Sequence, residues 1–219
     1  MKFKLLYLML VLTLSACGNS GSNSNNALNE IPIQSSAATG PVILIGDSIT
    51  QFWGNGEPPS YPTAVPSIYQ DIPDVIDVGI AGQQTSQMLA RFQTDVLDKN
   101  PSVVVILGGT NDIFYGSGTL STDNIATMAE AASAAGAHII IGLVPPTNHL
   151  NSLPIIQNWN AQLRTLAAAY GYTLADYYDV MVNADGSPNL NLFLVDEIHP
   201  NSAGYAVMWT VLQSALNKE

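Results

Sequence analysis

Cys17 is the only cysteine in the 219-residue chain, so no disulfide, CxxC redox pair or thiolate metal site can form within it. Positive charge is almost as scarce. Beyond Lys2 and Lys4, the basic residues are Arg91, Lys99, Arg164 and Lys218, set against seventeen acidic ones. A surface so short of cations repels polyphosphates, which excludes nucleic acid as a partner. The three histidines, His138, His149 and His199, are spread along the chain and have no cluster of Asp or Cys beside them, so no metal site is expected. The apolar run Leu5–Leu14 is too short to span a bilayer.

What stands in those places begins at the N-terminus. Lys2 and Lys4, the apolar run and the small residues up to Ala16 have the form of a secretory signal over residues 1–16. Leu14-Ser15-Ala16-Cys17 resembles the lipobox of bacterial lipoproteins, in which the Cys is lipidated and becomes the mature N-terminus. A lone Cys at that point is expected to carry the lipid, and several acyl chains hold a protein firmly where one does not. Gly18 after the Cys is similar to the outer-membrane sorting pattern of Gram-negative lipoproteins. Residues 17–39 are rich in Ser, Asn, Gly and Ala and read as a flexible tether. Residues 40–219, about 180 in all, suit one domain with a sizeable core.

Within that domain, short β-branched runs alternate with helical patterns. Pro41–Gly46, Val75–Gly79, Ser102–Leu107 and His138–Leu143 read as strands, and a fifth begins near Tyr172. Nearly continuous apolar runs mark parallel strands covered on both faces. Leu89, Phe92 and Val96 share a helical face that Asn100-Pro101 ends. Ser121–Ala135 reads as a helix stopped by Gly136, and Ile156, Trp159, Leu163, Leu166 and Tyr170 form a core stripe ended by Gly171. A last helix from Ser202 turns Met208, Val211, Leu212 and Ala215 inward. This alternation predicts a parallel sheet with helices on both faces, and a ligand site beyond the carboxyl ends of the strands.

Four distinctive clusters fall at that edge: Gly46-Asp47-Ser48-Ile49-Thr50, Gly79-Ile80-Ala81-Gly82, Gly108-Gly109-Thr110-Asn111-Asp112, and Asp196-Glu197-Ile198-His199-Pro200 before the last helix. A serine hydroxyl needs a base, and His199 is the best placed, since an imidazole titrates near neutral pH. Asp196, three residues earlier, can orient the ring; Glu197 competes with it, and the spacing favours Asp196. Donors for an oxyanion are the backbone N–H groups of Ser48 and Gly82 and the side-chain amide of Asn111. Glycine at 82 lets backbone approach a substrate. The blander alternatives are Ser48 as a helix cap and Asn111 as a turn residue, with Asp47 structural and His138 and His149 ordinary strand-end and loop residues. Phe52, Trp53, Ile113, Phe114 and Tyr115 serve as an apolar wall or a sugar-stacking platform, or equally as core.

These four blocks, in this order over residues 40–219, resemble those of the SGNH hydrolases, also called GDSL lipases or esterases. The resemblance implies a flavodoxin-like three-layer α/β/α fold with a five-stranded parallel sheet and no metal or organic cofactor. It implies Ser48, Asp196 and His199 as catalytic residues, with Ser48, Gly82 and Asn111 as oxyanion hole. Two positions depart from the pattern: Asp77 stands where Asn often begins the second block, and residues 54–66 carry no helical periodicity. The expected activity is hydrolysis of short acyl esters, on carbohydrate acetates or on general carboxylic esters, lysophospholipids or thioesters. The competing expectation is a non-catalytic surface lipoprotein that binds glycans on an inherited hydrolase fold.

Overall fold

The computed structural model describes residues 40–53, 74–116, 118 and 120–218. The signal, Cys17, the tether and the loop 54–66 lie outside the described residues. Five parallel strands, β1 (Val42–Gly46), β2 (Val75–Asp77), β3 (Val103–Leu107), β4 (His138–Gly142) and β5 (Thr173–Ala175), form one sheet in the order β2-β1-β3-β4-β5. That order and its layered helices are the flavodoxin-like α/β/α fold.

Alternation along the strands sorts the apolar side chains onto two faces. Ile43, Ile45, Val104, Ile106, Ile139 and Ile141 meet α2 (Thr85–Asp95), α4 (Asp123–Ala134) and α5 (Leu153–Tyr170). Leu44, Val105, Leu107 and Ile140 meet α1 (Ser48–Gln51) and α6 (Ser202–Leu216). Both faces are buried, which is why the strand sequences read as unbroken apolar runs.

The expected helices form with small changes. Met88 and Phe92 are the buried anchors of α2, whereas Leu89 only borders the core. Helix α5 turns Ile156, Trp159 and Leu163 inward, and Met208, Leu212 and Ala215 do so in α6. Tyr170 departs from the expected stripe: it is 54 % exposed and stacks on Tyr172 with ring centres 5.4 Å apart. Helix α3 (Thr110–Tyr115) was not legible, because six residues are too few to display a period. Helix α1 is four residues long. No helix among the described residues is long and apolar enough to cross a membrane.

The chain runs from β1 outward to β2, then returns past β1 to β3. The carboxyl ends of β1 and β3 therefore flank the point where strand order reverses, the place where open α/β sheets bind ligands. Ser48 follows β1 there and Asn111 follows β3.

Candidate active site

Ser48 opens α1 straight off the strand. At Gly46 a Cβ would lie 2.0 Å from Thr50 Oγ1 and 2.6 Å from the Leu107 carbonyl oxygen, so only glycine permits this tight exit from β1. Asp47 caps the turn, its Oδ1 accepting the Ile49 N–H at 2.9 Å. The expectation that Asp47 is structural agrees with this bond and with an exposure of 1 %. Burial, the largest influence, pushes its carboxyl up to about 6 against the lowering effects of the Ile49 N–H and of His199.

The second part of the site is an irregular loop before α6. Ser48 Oγ lies 2.8 Å from His199 Nε2, and His199 Nδ1 lies 2.7 Å from Asp196 Oδ2. A carboxylate only accepts, so Nδ1 carries the ring proton and Nε2 is left to accept from the serine hydroxyl. The other Asp196 oxygen accepts the backbone N–H groups of Ile198 and His199, each at 3.0 Å. Burial raises the Asp196 carboxyl, but these three hydrogen bonds and the nearby imidazole outweigh it and hold the group below its ordinary value. Glu197, the rival partner, sits at φ 58° and lines a different cavity. Asn201 pins the loop: its amide donates to the carbonyls of Asn191 and Phe193, and its oxygen caps α6 through the N–H groups of Ala203 and Gly204. The Phe52 ring packs 5.6 Å from the imidazole.

The donor side comes from two loops. Gly82 has φ 76°, a backbone state that suits glycine, and a Cβ there would meet nothing within 4 Å, so the position faces open space. The backbone N–H groups of Ser48 and Gly82 take no acceptor among the described residues. Asn111 is brought to the same cleft, but its Nδ2 donates to Asp47 Oδ2 at 3.3 Å and to the Gln83 carbonyl at 3.0 Å. An oxyanion would take the amide hydrogen from the longer, weaker of these bonds.

Sequence reasoning missed the residues that lock these loops together. Gln51 Oε1 accepts the Ala81 N–H at 2.6 Å, which ties the glycine loop to α1. Asp112 receives the Thr85 N–H at 3.0 Å and its hydroxyl at 2.6 Å, so the block after β3 holds the start of α2. Arg91 reaches Gln83 Oε1 at 2.7 Å, the Gly46 carbonyl at 3.3 Å and Asp95 at 2.9 Å. Asp77, the departure in the second block, accepts the Gly79 N–H at 2.7 Å. Apart from the i,i+4 pair Arg91–Asp95, none of these bonds leaves a periodic trace in sequence.

A cleft of about 290 Å³ opens over Ser48 and His199. Phe52, Phe114, Tyr115 and Ile198 give it apolar walls, with Ala81 and Gly82 on the donor side. The aromatic cluster thus divides: Phe52, Phe114 and Tyr115 line the cleft, Trp53 is 1 % exposed in the core on the α6 face, and Ile113 packs against the core on the other face. Trp159 is also core, yet its Nε1 donates to the Gly108 carbonyl at 3.2 Å beneath the third block. His149 stands outside this cleft with its ring 5.2 Å from Phe114.

A parallel α/β sheet with a hydrogen-bonded serine, histidine and aspartate at its switch point defines an α/β/α protein with a hydrolase-like site. Residues 44–207 match the GDSL-like lipase/acylhydrolase family, and the chain belongs to it. Membership makes it a hydrolase of esters in the general sense. The chain is 29 % identical to a GDSL-like lipase of Bacteroides thetaiotaomicron, covering 82 % of this chain and 88 % of that one with a TM-score of 0.71. An acetylxylan esterase of Geobacillus stearothermophilus, Axe2, shares the fold at 17 % identity, with 84 % and 96 % covered and a TM-score of 0.67. Over 39 residues the chain is 51 % identical to the uncharacterized lipoprotein YqeF of Bacillus subtilis, a stretch that spans 18 % of this chain and 16 % of that protein.

Proposed function

We propose that the protein is a serine esterase that cleaves short acyl esters through an acyl-enzyme. Ser48 Oγ attacks the ester carbonyl carbon while His199 Nε2 takes the hydroxyl proton. The carbonyl π pair becomes an oxyanion facing the N–H groups of Ser48 and Gly82 and the amide of Asn111. Collapse of that intermediate breaks the bond to the alkoxy oxygen, and His199 returns its proton to the departing alcohol. Water, deprotonated by the same ring, then attacks the acyl carbon and releases the acid and free Ser48. Asp196 keeps the imidazole in the tautomer that can accept, and stabilises its cation.

The observation that carries this reading is the unbroken chain of 2.8 Å and 2.7 Å contacts from Ser48 through His199 to Asp196. The cleft, near the lower end of the range for small-ligand pockets, favours short acyl groups. The acetyl substrate in the name of the Geobacillus fold neighbour agrees with that size. The proposal extends to location: a lipid on Cys17 would hold the enzyme to a membrane on the far side of the export machinery, and the short stretch shared with a protein named a lipoprotein supports it.

Treatment with a fluorophosphonate, followed by peptide mapping, tests the mechanism. One label per chain on Ser48, with matching loss of 4-nitrophenyl acetate hydrolysis, is expected. Labelling of any other serine with activity retained removes the proposal.

A further inference from the structure

A second cavity, of about 490 Å³, is lined by residues next in sequence to those at the ester cleft. Two loops bring the two sets of residues near each other. Residues 198 and 199 face the ester cleft while Glu197, with φ 58°, faces the second cavity. On the other loop, His149 packs on Phe114 of the ester cleft while its neighbour Asn148 lines the second cavity.

Its lining has an unusual chemistry. Asn148, Asn183, Asn189 and Asn191 supply four amides, Leu190 is 51 % exposed, and Glu197 is the only charged group among the described residues of the lining. Asn183 is committed to the turn, donating to Ser187 Oγ and the Pro188 carbonyl, and Asn189 Oδ1 accepts the Asn191 N–H. The side-chain amides of Asn148 and Asn191 take no partner among the described residues.

This chemistry discriminates among the alcohol portions an ester can carry. A phosphate or nucleotide group needs cations, and the described residues of the lining include none but do include a carboxylate. A quaternary ammonium headgroup needs an aromatic cage, and no aromatic ring is among the described residues of the lining. A long alkyl chain would leave the amides unpaired, at the cost of desolvating them. Neutral amides that donate and accept, beside an exposed leucine, match hydroxyl groups on a ring with an apolar face.

We propose that this cavity is a subsite for the alcohol side of the ester and takes a neutral polyhydroxylated chain, an oligosaccharide bearing the scissile acyl group. The inference rests on the esterase reading above and specifies its substrate class. Asn148 and Asn191 are binding residues for sugar hydroxyls and have no part in the acyl transfer.

The test compares wild type with the double variant Asn148→Ala/Asn191→Ala on O-acetylated xylo- and manno-oligosaccharides, lysophosphatidylcholine and 4-nitrophenyl acetate. Losing two neutral hydrogen bonds should lower kcat/KM for an acetylated oligosaccharide about tenfold, mainly through KM. Hydrolysis of 4-nitrophenyl acetate should stay within about twofold, since both changes are at exposed positions. Unchanged kcat/KM on every acetylated oligosaccharide, an equal loss on all esters, or a selective loss on the lysophospholipid overturns the subsite. Calorimetry with the deacetylated oligosaccharides separates this from the esterase reading. Binding to wild type that weakens in the double variant supports the subsite even if no ester is cleaved, and absence of binding to wild type overturns it.

Discussion

Ser48 follows a strand whose Ile43, Leu44 and Ile45 side chains are inaccessible, and the adjacent Asp47 is 1 % exposed, whereas His199 rides on a loop where Val195 is fully exposed. The nucleophile side is held from below, by β1, β3 and the buried hydrogen bonds from Asn111 to Asp47 and from Trp159 to the Gly108 carbonyl. The base side has no helix or strand between Phe193 and Asn201 and is held from within. Its ties are the Asp196 and Asn201 side chains, the Phe193–Pro200 bridge and the Leu194 N–H to His199 carbonyl bond at 2.8 Å. One half of the site inherits its geometry from the core; the other builds it from a handful of polar bonds. The lesson is that Asp196 has two tasks, one for the imidazole and one for its own loop.

The largest effects should come from cutting across the two halves. Ser48→Ala and His199→Ala should each lower kcat by about 10⁶, and the double variant should be little worse, because groups acting as one relay are non-additive. Steady-state kinetics on 4-nitrophenyl acetate reads this, and additive losses would break the link between the halves. Asp196 should cost less, about 10⁴, by analogy with the corresponding carboxylate in serine proteases. Here the comparison sharpens. Asp196→Asn keeps an oxygen for the Ile198 and His199 N–H groups but favours the wrong tautomer, whereas Asp196→Ala loses both. Both should be slow enzymes, and only the alanine variant should show faster hydrogen exchange over residues 194–199.

The same division governs what could be read in the sequence. The strands were legible because burial on both faces leaves unbroken apolar runs such as Val103–Leu107. The four blocks were legible because a parallel sheet brings every strand end to one edge. Asp196 and His199 were legible as a pair because three residues of chain suffice to bring them together. The bonds from Gln51 to Ala81, Arg91 to Gly46 and Asp112 to Thr85 were not, since each joins positions 27 to 45 residues apart and depends on the finished fold. The amides lining the second cavity were also missed, because a turn rich in asparagine from 183 to 191 reads as a solvated loop until Asn148 and Glu197 are placed beside it.

A smaller loss should follow on the nucleophile side when the amide proposed for the oxyanion is removed. Asn111→Ala should lower kcat by about 10²–10³ with little change in KM, since the charge it meets exists only in the transition state. The structure adds a condition: Asn111 Nδ2 must give up its 3.3 Å bond to Asp47 to serve the oxyanion. If Asn111→Ala raised KM and left kcat alone, its amide would be a ground-state contact and the core-held half would contribute only the nucleophile.

The least effect is expected on stability, from the buried carboxylate beneath that amide. Burial raises Asp47 from 3.8 to about 6, with Asp112 opposing its ionisation and His199 favouring it. The folded protein therefore keeps the Asp47 proton between about pH 4 and 6, where the unfolded chain has released it. The sign follows. Asp47 is least costly to the fold below about pH 4, its cost grows as pH rises to about 6, and above that it stays constant at about 3 kcal/mol. Asp47→Asn removes the charge and keeps an acceptor for the Ile49 N–H, at the expense of facing a second donor towards Asn111. That expense is the same at every pH, so the difference between conditions isolates the carboxylate. Thermal unfolding of wild type and variant at pH 4.5 and 7.5 should show the variant gaining several degrees relative to wild type at the higher pH. An unchanged gap between the two curves would mean that Asp47 is not buried as a charge, and the core-held half of the site would be wetter than its geometry implies.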